Sequence, residues 1–335
     1  MRRLRRIAQG LLIPDTFAEW IPFAICRGRR VLRSFGPDLI FSSSNPASSH
    51  LVAAYLSREA HIPLVIEYGD PWNHLIERPR HGLRARIELW QERTVLQKAS
   101  FVFMATHAAR SLYVEKWPFV EHKIDVVENG YDPDDFSSGI LPPSDEFRLT
   151  YAGVVHTGGR SVDAFIEALA SMKVTGRLPP SIRINFWGEF SPVLLTKLKQ
   201  LGLDQVIRIG GWLNHNDFCR ALLGSHGLLL FGNRHVQQVP GKLYQYLGAG
   251  RPVFLIDNSE EPERDHTRLL VSRQPHAIIV ENSAEAISSA LLVAYREWSV
   301  LRAVDYVGIR DSASGETWTA RARQLDHCFA QVVAR

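Results

Sequence analysis

The chain is poor in cysteine and methionine, with three of each in 335 residues. Cys26, Cys219 and Cys328 lie far apart and show neither metal-ligand spacing nor a disulfide framework. They fit small buried hydrophobes in a reducing compartment. Long apolar runs are missing as well: none reaches the roughly 18 residues that a membrane-spanning helix needs. Met1-Arg-Arg-Leu-Arg-Arg-Ile opens like a signal peptide. However, the apolar stretch Ile7–Ile13 is short, Pro14-Asp15 breaks it and no small-residue cleavage site follows, so no signal peptide is expected. Repeats and low-complexity tracts are absent. Basic residues are dispersed apart from Arg2–Arg6 and Arg27–Arg33, and no nucleic-acid recognition motif occurs, so a nucleic-acid partner is not expected.

What remains is an ordinary globular composition, 45% hydrophobic, 10% aromatic and 22% charged, on a chain long enough for two cores. A net charge of +4 favours anionic partners without choosing among them. Short β-branched runs predict strands at Asp38–Phe41, Leu64–Glu67, Phe101–Met104 and Asp125–Val127. A second set is predicted at Phe147–Ala152, Ile182–Trp187, Val206–Ile209, Leu228–Phe231, Val253–Ile256 and Ala277–Val280. Continuous apolar runs of this kind suit parallel strands covered on both faces. Between them lie helical stripes: Val162, Phe165, Ile166 and Leu169; Ile287, Leu291, Tyr295 and Trp298; and Trp318, Ala322, Leu325 and Phe329. The alternation predicts an α/β chain with doubly wound sheets, and the Pro-, Gly-, Ser- and Asp-rich stretch Asp132–Glu146 predicts the linker.

Ligands of open α/β sheets bind beyond the carboxyl ends of the strands. Three predicted strands run into suitable loops: Ser42–His50, where Ser48 or Ser49 is placed to cap the next helix; Gly153–Arg160; and Gly188-Glu189. A helix starting near Pro240-Gly241-Lys242 offers free N–H groups, a favourable dipole and a cation to a diphosphate, or merely a solvated helix start. Glu189 is placed either to meet a ligand hydroxyl or as a surface carboxylate. Asp70 follows a strand of the first half and serves either a ligand hydroxyl or the turn ahead of Pro71. His50 and Asn45 are further candidates in the same half, His50 against the alternative of a helix-surface histidine.

Three segments, in order, resemble the retaining glycosyltransferases of the GT-B fold, of the family 4 kind. They are Pro37-Asp-Leu-Ile-Phe with Ser-Asn-Pro and then Ile62–Trp72; Val126-Val-Glu-Asn-Gly-Tyr-Asp132 with Phe136; and Val239-Pro-Gly-Lys-Leu-Tyr-Gln-Tyr-Leu-Gly-Ala-Gly-Arg-Pro-Val253. The resemblance implies two Rossmann-like domains facing a cleft. An acceptor-side domain spans 1–138, a nucleotide-sugar domain 146–312, and a C-terminal helix over 313–335 packs back on the first. The opening at Arg2–Ile13 replaces the strand and glycine-rich loop with which such chains begin, so the first domain is expected to lack its usual first strands.

The resemblance also assigns roles. Lys242 and Arg160 neutralise the leaving diphosphate, Asp70 completes the catalytic set, and Asn45 and His50 lie on the acceptor side. Gly153, His156, Gly158 and Gly159 form the phosphate loop. Gly241, Leu243 and Gln245 lie on the donor helix, and Gly211 and Trp212 pass the base, Trp212 with a packing role as the alternative. Where the family carries glutamates this chain has Gln245 and Gln237. Val154 stands where an arginine is usual, and Gly69 where His or Arg is usual. The implied activity is retaining transfer of a sugar from a nucleotide-diphosphate sugar to a glycan or lipid-linked acceptor, in cell-surface polysaccharide or glycoconjugate assembly. No cofactor is implied and metal independence is expected. A cytoplasmic setting is expected, and the basic segments Arg2–Arg6 and Arg27–Arg33 flanking Trp20 and Phe23 suit either a peripheral position at an anionic membrane surface or a first helix packed on the core. The alternative is a degenerate, non-catalytic binding or scaffold subunit.

Overall fold

Among the described residues, ten runs rich in branched and aromatic residues become ten strands, each parallel to its neighbours in one of two sheets. The structure, a computed structural model, describes residues 12–73, 81–154 and 162–334. The chain divides into two compact units, residues 1–128 with 322–335 and residues 129–321.

In the first unit β1 (Ile40–Ser44), β2 (Leu64–Tyr68), β3 (Phe101–Met104) and β4 (Ile124–Val126) lie in that order. The helices are α1 (Ile21–Phe35), α2 (Ser48–Ala60), α3 (Gly82–Lys98) and α4 (His107–Lys116). Strand side chains alternate between faces. Leu64, Ile66, Val102 and Met104 therefore pack with Val95, Leu96, Ala109 and Tyr113, while Val65 and Phe103 pack with Val127, Cys328 and Val332. Each such burial contributes about 1.5–3 kcal/mol.

The cap of α2 differs from the sequence expectation. Ser48 is the first helical residue, and no side chain of the N-cap residue Ala47 closes the helix start. The Asp15 carboxylate does so instead, accepting from Ser48 N at 2.8 Å and Ser48 Oγ at 3.1 Å. The C-terminal helix (Trp318–Val333) also buries a different stripe from the expected one. Trp318 is about half exposed, while Cys328 and Val332 are buried with Leu325 and Phe329 beside them.

The second unit holds β5 (Phe147–Ala152), β6 (Ile182–Trp187), β7 (Ile207–Gly210), β8 (Gly227–Phe231), β9 (Val253–Asp257) and β10 (Ile278–Glu281), in the order β10-β9-β8-β5-β6-β7. From β5 the chain winds outward through β6 and β7, then returns to β8 and winds the other way. The switch point therefore lies between β5 and β8, where ligands of such sheets bind. Its helices are α5 (Asp163–Val174), α6 (Pro192–Gln200), α7 (His215–Leu223), α8 (Lys242–Ala249), α9 (His266–Ser272), α10 (Ala284–Trp298) and α11 (Ala303–Asp311). One face of the sheet packs on Phe165, Leu169, Leu291 and Trp298, the other on Leu243, Tyr244 and Leu247.

The linker read from composition does not begin where expected. Residues 129–138 belong to the second unit because Tyr131 and Phe136 are buried there, against Leu243 and Leu247. Tyr131 N donates to Glu316 O and Trp318 N to Tyr131 O, both at 3.0 Å, which draws residues 313–321 into this unit too.

Candidate functional site

The carboxyl ends of β5, β6 and β7 are stitched together by two glycines. Gly153 N donates to Trp187 O at 2.8 Å, and Gly188 N to Gly211 O at 3.2 Å. Both glycines have positive φ, +141° and +131°, where a side chain is strained. A Cβ on Gly188 would meet Gly153 O at 2.2 Å. Beyond these ends opens a cavity of about 370 Å³, lined by Ala152, Gly153, Trp187, Gly188, Trp212, Leu213, His215 and Phe218. Trp187 keeps its place because Gly210 leaves room: a Cβ there would lie 2.0 Å from the ring. The Trp187 Nε1 is buried without a hydrogen-bond partner, while Trp212 is 69% exposed. Two indoles thus border an apolar cavity of the size that holds small ligands.

At the switch point Lys242 opens α8. Its Nζ lies 3.9 Å from the centroid of the Tyr151 ring, and a Cβ on Gly153 would approach it to 2.5 Å. Gly241 is the N-cap, and no side chain caps the helix. Leu243 N is taken by Pro240 O at 2.8 Å, and the positive end of the helix dipole faces the switch point beside the Lys242 ammonium. Tyr246 anchors the same helix to the strand end by accepting from Ala152 N at 3.0 Å, and burial pushes the Tyr246 hydroxyl well above the usual range. Leu243 is fully buried and holds the helix down. Gln245, one turn on, has a buried Oε1 with no partner. The small residues at the end of the motif leave room for neighbouring groups. Gly248 makes room for Tyr131 and Phe136, and Gly250 for Tyr306 and Arg310. Arg251 is buried beneath the site, donates to Leu223 O at 2.6 Å and Ile140 O at 2.9 Å, and stacks on Tyr306.

Residues 2–135 match the family model of Glycosyltransferase Family 4. A glycosyltransferase from Rickettsia africae ESF-5 superposes with a TM-score of 0.68 at 13% identity, over 93% of this chain and 81% of that one. Sucrose-phosphate synthase from Thermosynechococcus elongatus gives 0.65 at 14%, over 95% and 79%. Anabaena Alr3699/HepE in complex with UDP-glucose gives 0.65 at 14%, over 92% and 82%. The chain has the GT-B fold. No curated protein matches its sequence.

In this GT-B chain the donor-side candidates of the second unit come together only in part. Gly153, Gly211, Trp212, Gly241, Leu243, Gln245 and Lys242 stand on the strand ends and on α8 as described. Glu189 follows Gly188 but is exposed and is not among the cavity-lining residues. His156, Gly158, Gly159 and Arg160 lie outside the described residues. Sequence reasoning missed His215, Phe218 and the buried indole of Trp187. The aromatic residues that close strands, Trp187 before Gly188 and Tyr151 before Ala152-Gly153, were the available signal.

In the first unit, Asp70 sits in the bend after β2 and is half-buried, and Asn45 is exposed in the turn after β1. His50 is not on a helix surface. It is fully buried, with Nδ1 2.9 Å from Ser42 Oγ and its ring edge-on to Tyr68 at 4.7 Å. Burial pushes its pKa down to about 3, so the ring is neutral, and Nε2 has no partner.

Proposed function

We propose that this chain transfers a sugar from a nucleotide-diphosphate sugar to a hydroxyl acceptor with retention of configuration, in cell-surface polysaccharide or glycoconjugate assembly. The observation that carries the reading is Lys242, at the uncapped start of α8, with its ammonium against Gly153 at the switch point. A diphosphate placed there meets a helix dipole and a point charge together. The neighbouring cavity takes the base between Trp187 and Trp212, and the Oε1 of Gln245 receives a sugar hydroxyl. Retaining transfer then needs stabilisation of the departing diphosphate and orientation of the acceptor, which are electrostatic and positional tasks. Lys242 and Arg160 serve the first task and Asp70 the second. The Glycosyltransferase Family 4 match and the UDP-glucose complex of the Anabaena protein support the choice of donor class.

A non-catalytic reading rests on Gln245 and Gln237, amides where the resembling enzymes carry carboxylates. Incubation of the purified protein with nucleotide sugars and a panel of lipid-linked and glycan acceptors separates the two. Release of nucleoside diphosphate, with product whose anomeric configuration by NMR equals that of the donor, supports retaining transfer. Tight nucleotide binding without turnover selects the binding subunit, and inverted product refutes retention.

We further propose a cytoplasmic setting at an anionic membrane. Among the described residues no helix is long and apolar enough to cross a membrane. Phe17 and Trp20 just ahead of α1 are exposed at 60% and 40%, and Phe23 within it at 77%, followed by exposed Arg27 and Arg30 on α1. Apolar side chains beside cations are the composition of an interfacial helix.

A further inference from the structure

We propose that Asp135, His215 and Cys219 form a binding site for a borderline divalent metal ion, with zinc the best fit. His215 is the first residue of α7 and Cys219 stands four residues on, so both side chains lie on one face, a turn apart. Asn214 fixes that helix start by accepting from Asp217 N at 2.9 Å. Asp135 arrives from a separate element, the 3₁₀ turn Pro133–Phe136, whose backbone is held by the Asp132 cap and by the fully buried Phe136. The His215 Nε2 is 2.8 Å from Asp135 Oδ1 and 3.8 Å from Cys219 Sγ, and the three ligand atoms all lie within 4.8 Å of one another. Tetrahedral zinc, with bonds of about 2.0–2.3 Å to nitrogen, oxygen and sulfur, sets ligand atoms about 3.3–3.6 Å apart. The observed spacings bracket that value, so side-chain adjustment alone closes the triad.

The donor chemistry points to zinc rather than to magnesium or calcium, which take oxygen ligands. Cys219 binds as the thiolate, so its thiol proton is released when the ion enters. The sulfur forms the buried floor of the site and the largely exposed His215 its open side, which gives an ion a path in. Three protein ligands leave a fourth position for water. His215 and Phe218 also line the cavity beyond β5–β7. A bound ion ties α7 to the 133–136 turn and fixes that wall. This holds whether or not the chain transfers sugars. The competing description is a simple His–Asp ion pair beside a buried thiol.

Cobalt(II) added to the chelator-treated full-length protein tests the assignment. One cobalt per chain is expected, with a near-ultraviolet thiolate-to-cobalt charge-transfer band and the visible bands of a tetrahedral site, all displaced by zinc. Cys219→Ser should remove the charge-transfer band, whereas Cys26→Ser should leave it intact. His215→Ala, at an exposed position, should weaken binding at least about tenfold with unchanged melting of the metal-free protein. Asp135→Asn gives a second variant should Cys219→Ser fail to fold. The proposal is overturned by the absence of a charge-transfer band, by its persistence in Cys219→Ser, or by unchanged affinity in both His215→Ala and Asp135→Asn.

Discussion

The ammonium of Lys242 stands 3.9 Å from the centroid of the Tyr151 ring, which links the first residue of a helix to a strand end in the same sheet. Tyr151 is itself fixed, being buried with its hydroxyl donating to Val154 O at 3.0 Å. The charge is thus held over Gly153 rather than left to wander on a four-carbon stem. Cation–π contact contributes about 0.5–2 kcal/mol to such an arrangement.

Two glycine substitutions should rank by what their new Cβ meets. At Gly188 the obstacle is a backbone carbonyl, Gly153 O at 2.2 Å; at Gly153 it is the end of the Lys242 side chain at 2.5 Å, which can swing away. Both sites add strain of about 1–3 kcal/mol from positive φ. Gly188→Ala is therefore expected to lower the denaturation midpoint more than Gly153→Ala, while Gly153→Ala still weakens nucleotide binding by displacing the ammonium. Equal stability losses would contradict the packing argument.

Trp212 should matter for ligand and not for fold. With 69% of its surface exposed, its replacement by Ala is expected to change stability by no more than about 0.5 kcal/mol. Stacking of a base on its ring is worth about 1–3 kcal/mol, so nucleotide affinity should fall by that amount in a calorimetric titration. Unchanged affinity would remove Trp212 from the site.

His50 predicts a stability loss in mild acid. Its folded pKa is about 3, below the ordinary 6.5 of the unfolded chain, so the unfolded state takes up a proton that the folded state refuses. Its contribution is present in full above about pH 6.5 and is lost as pH falls toward 3. Between pH 7 and pH 5 the loss should be about 2 kcal/mol. Urea unfolding at those two values should show a smaller pH dependence in His50→Gln than in the wild type. An identical dependence would show that the histidine titrates normally.

The proposed membrane contact predicts co-sedimentation with vesicles containing anionic lipid at low salt and release at high salt. Each cation near such a surface contributes about 1 kcal/mol. Phe23→Ser combined with Arg27→Ser and Arg30→Ser should weaken it. Equal recovery with neutral and anionic vesicles, or no recovery at low salt, would remove the membrane from the account.

The ten strands of the described residues were legible in the sequence, with edges within three residues, because parallel strands buried on both faces are largely uninterrupted apolar runs. Lys242 was legible because a Pro-Gly-Lys run ahead of a helical stretch has a direct electrostatic meaning. Other features needed the third dimension. The cap of α2 comes from Asp15, 33 residues away. The pairing of His215 with Asp135 spans 80 positions and follows no local spacing. His50 lies in a helix of mixed composition, where period alone does not say which face is covered. The segment 129–138 has a linker's composition, and only the packing of Tyr131 and Phe136 shows which core it joins.

The most direct test of the central claim is a calorimetric titration of wild type and Lys242→Ala with a panel of nucleoside diphosphates and their sugar conjugates. The account predicts that at least one nucleoside diphosphate binds the wild type and that Lys242→Ala weakens it by about 1–3 kcal/mol, the range for a charge-assisted hydrogen bond. Failure of the whole panel to bind, or equal affinity in the variant, would contradict a diphosphate site at the start of α8.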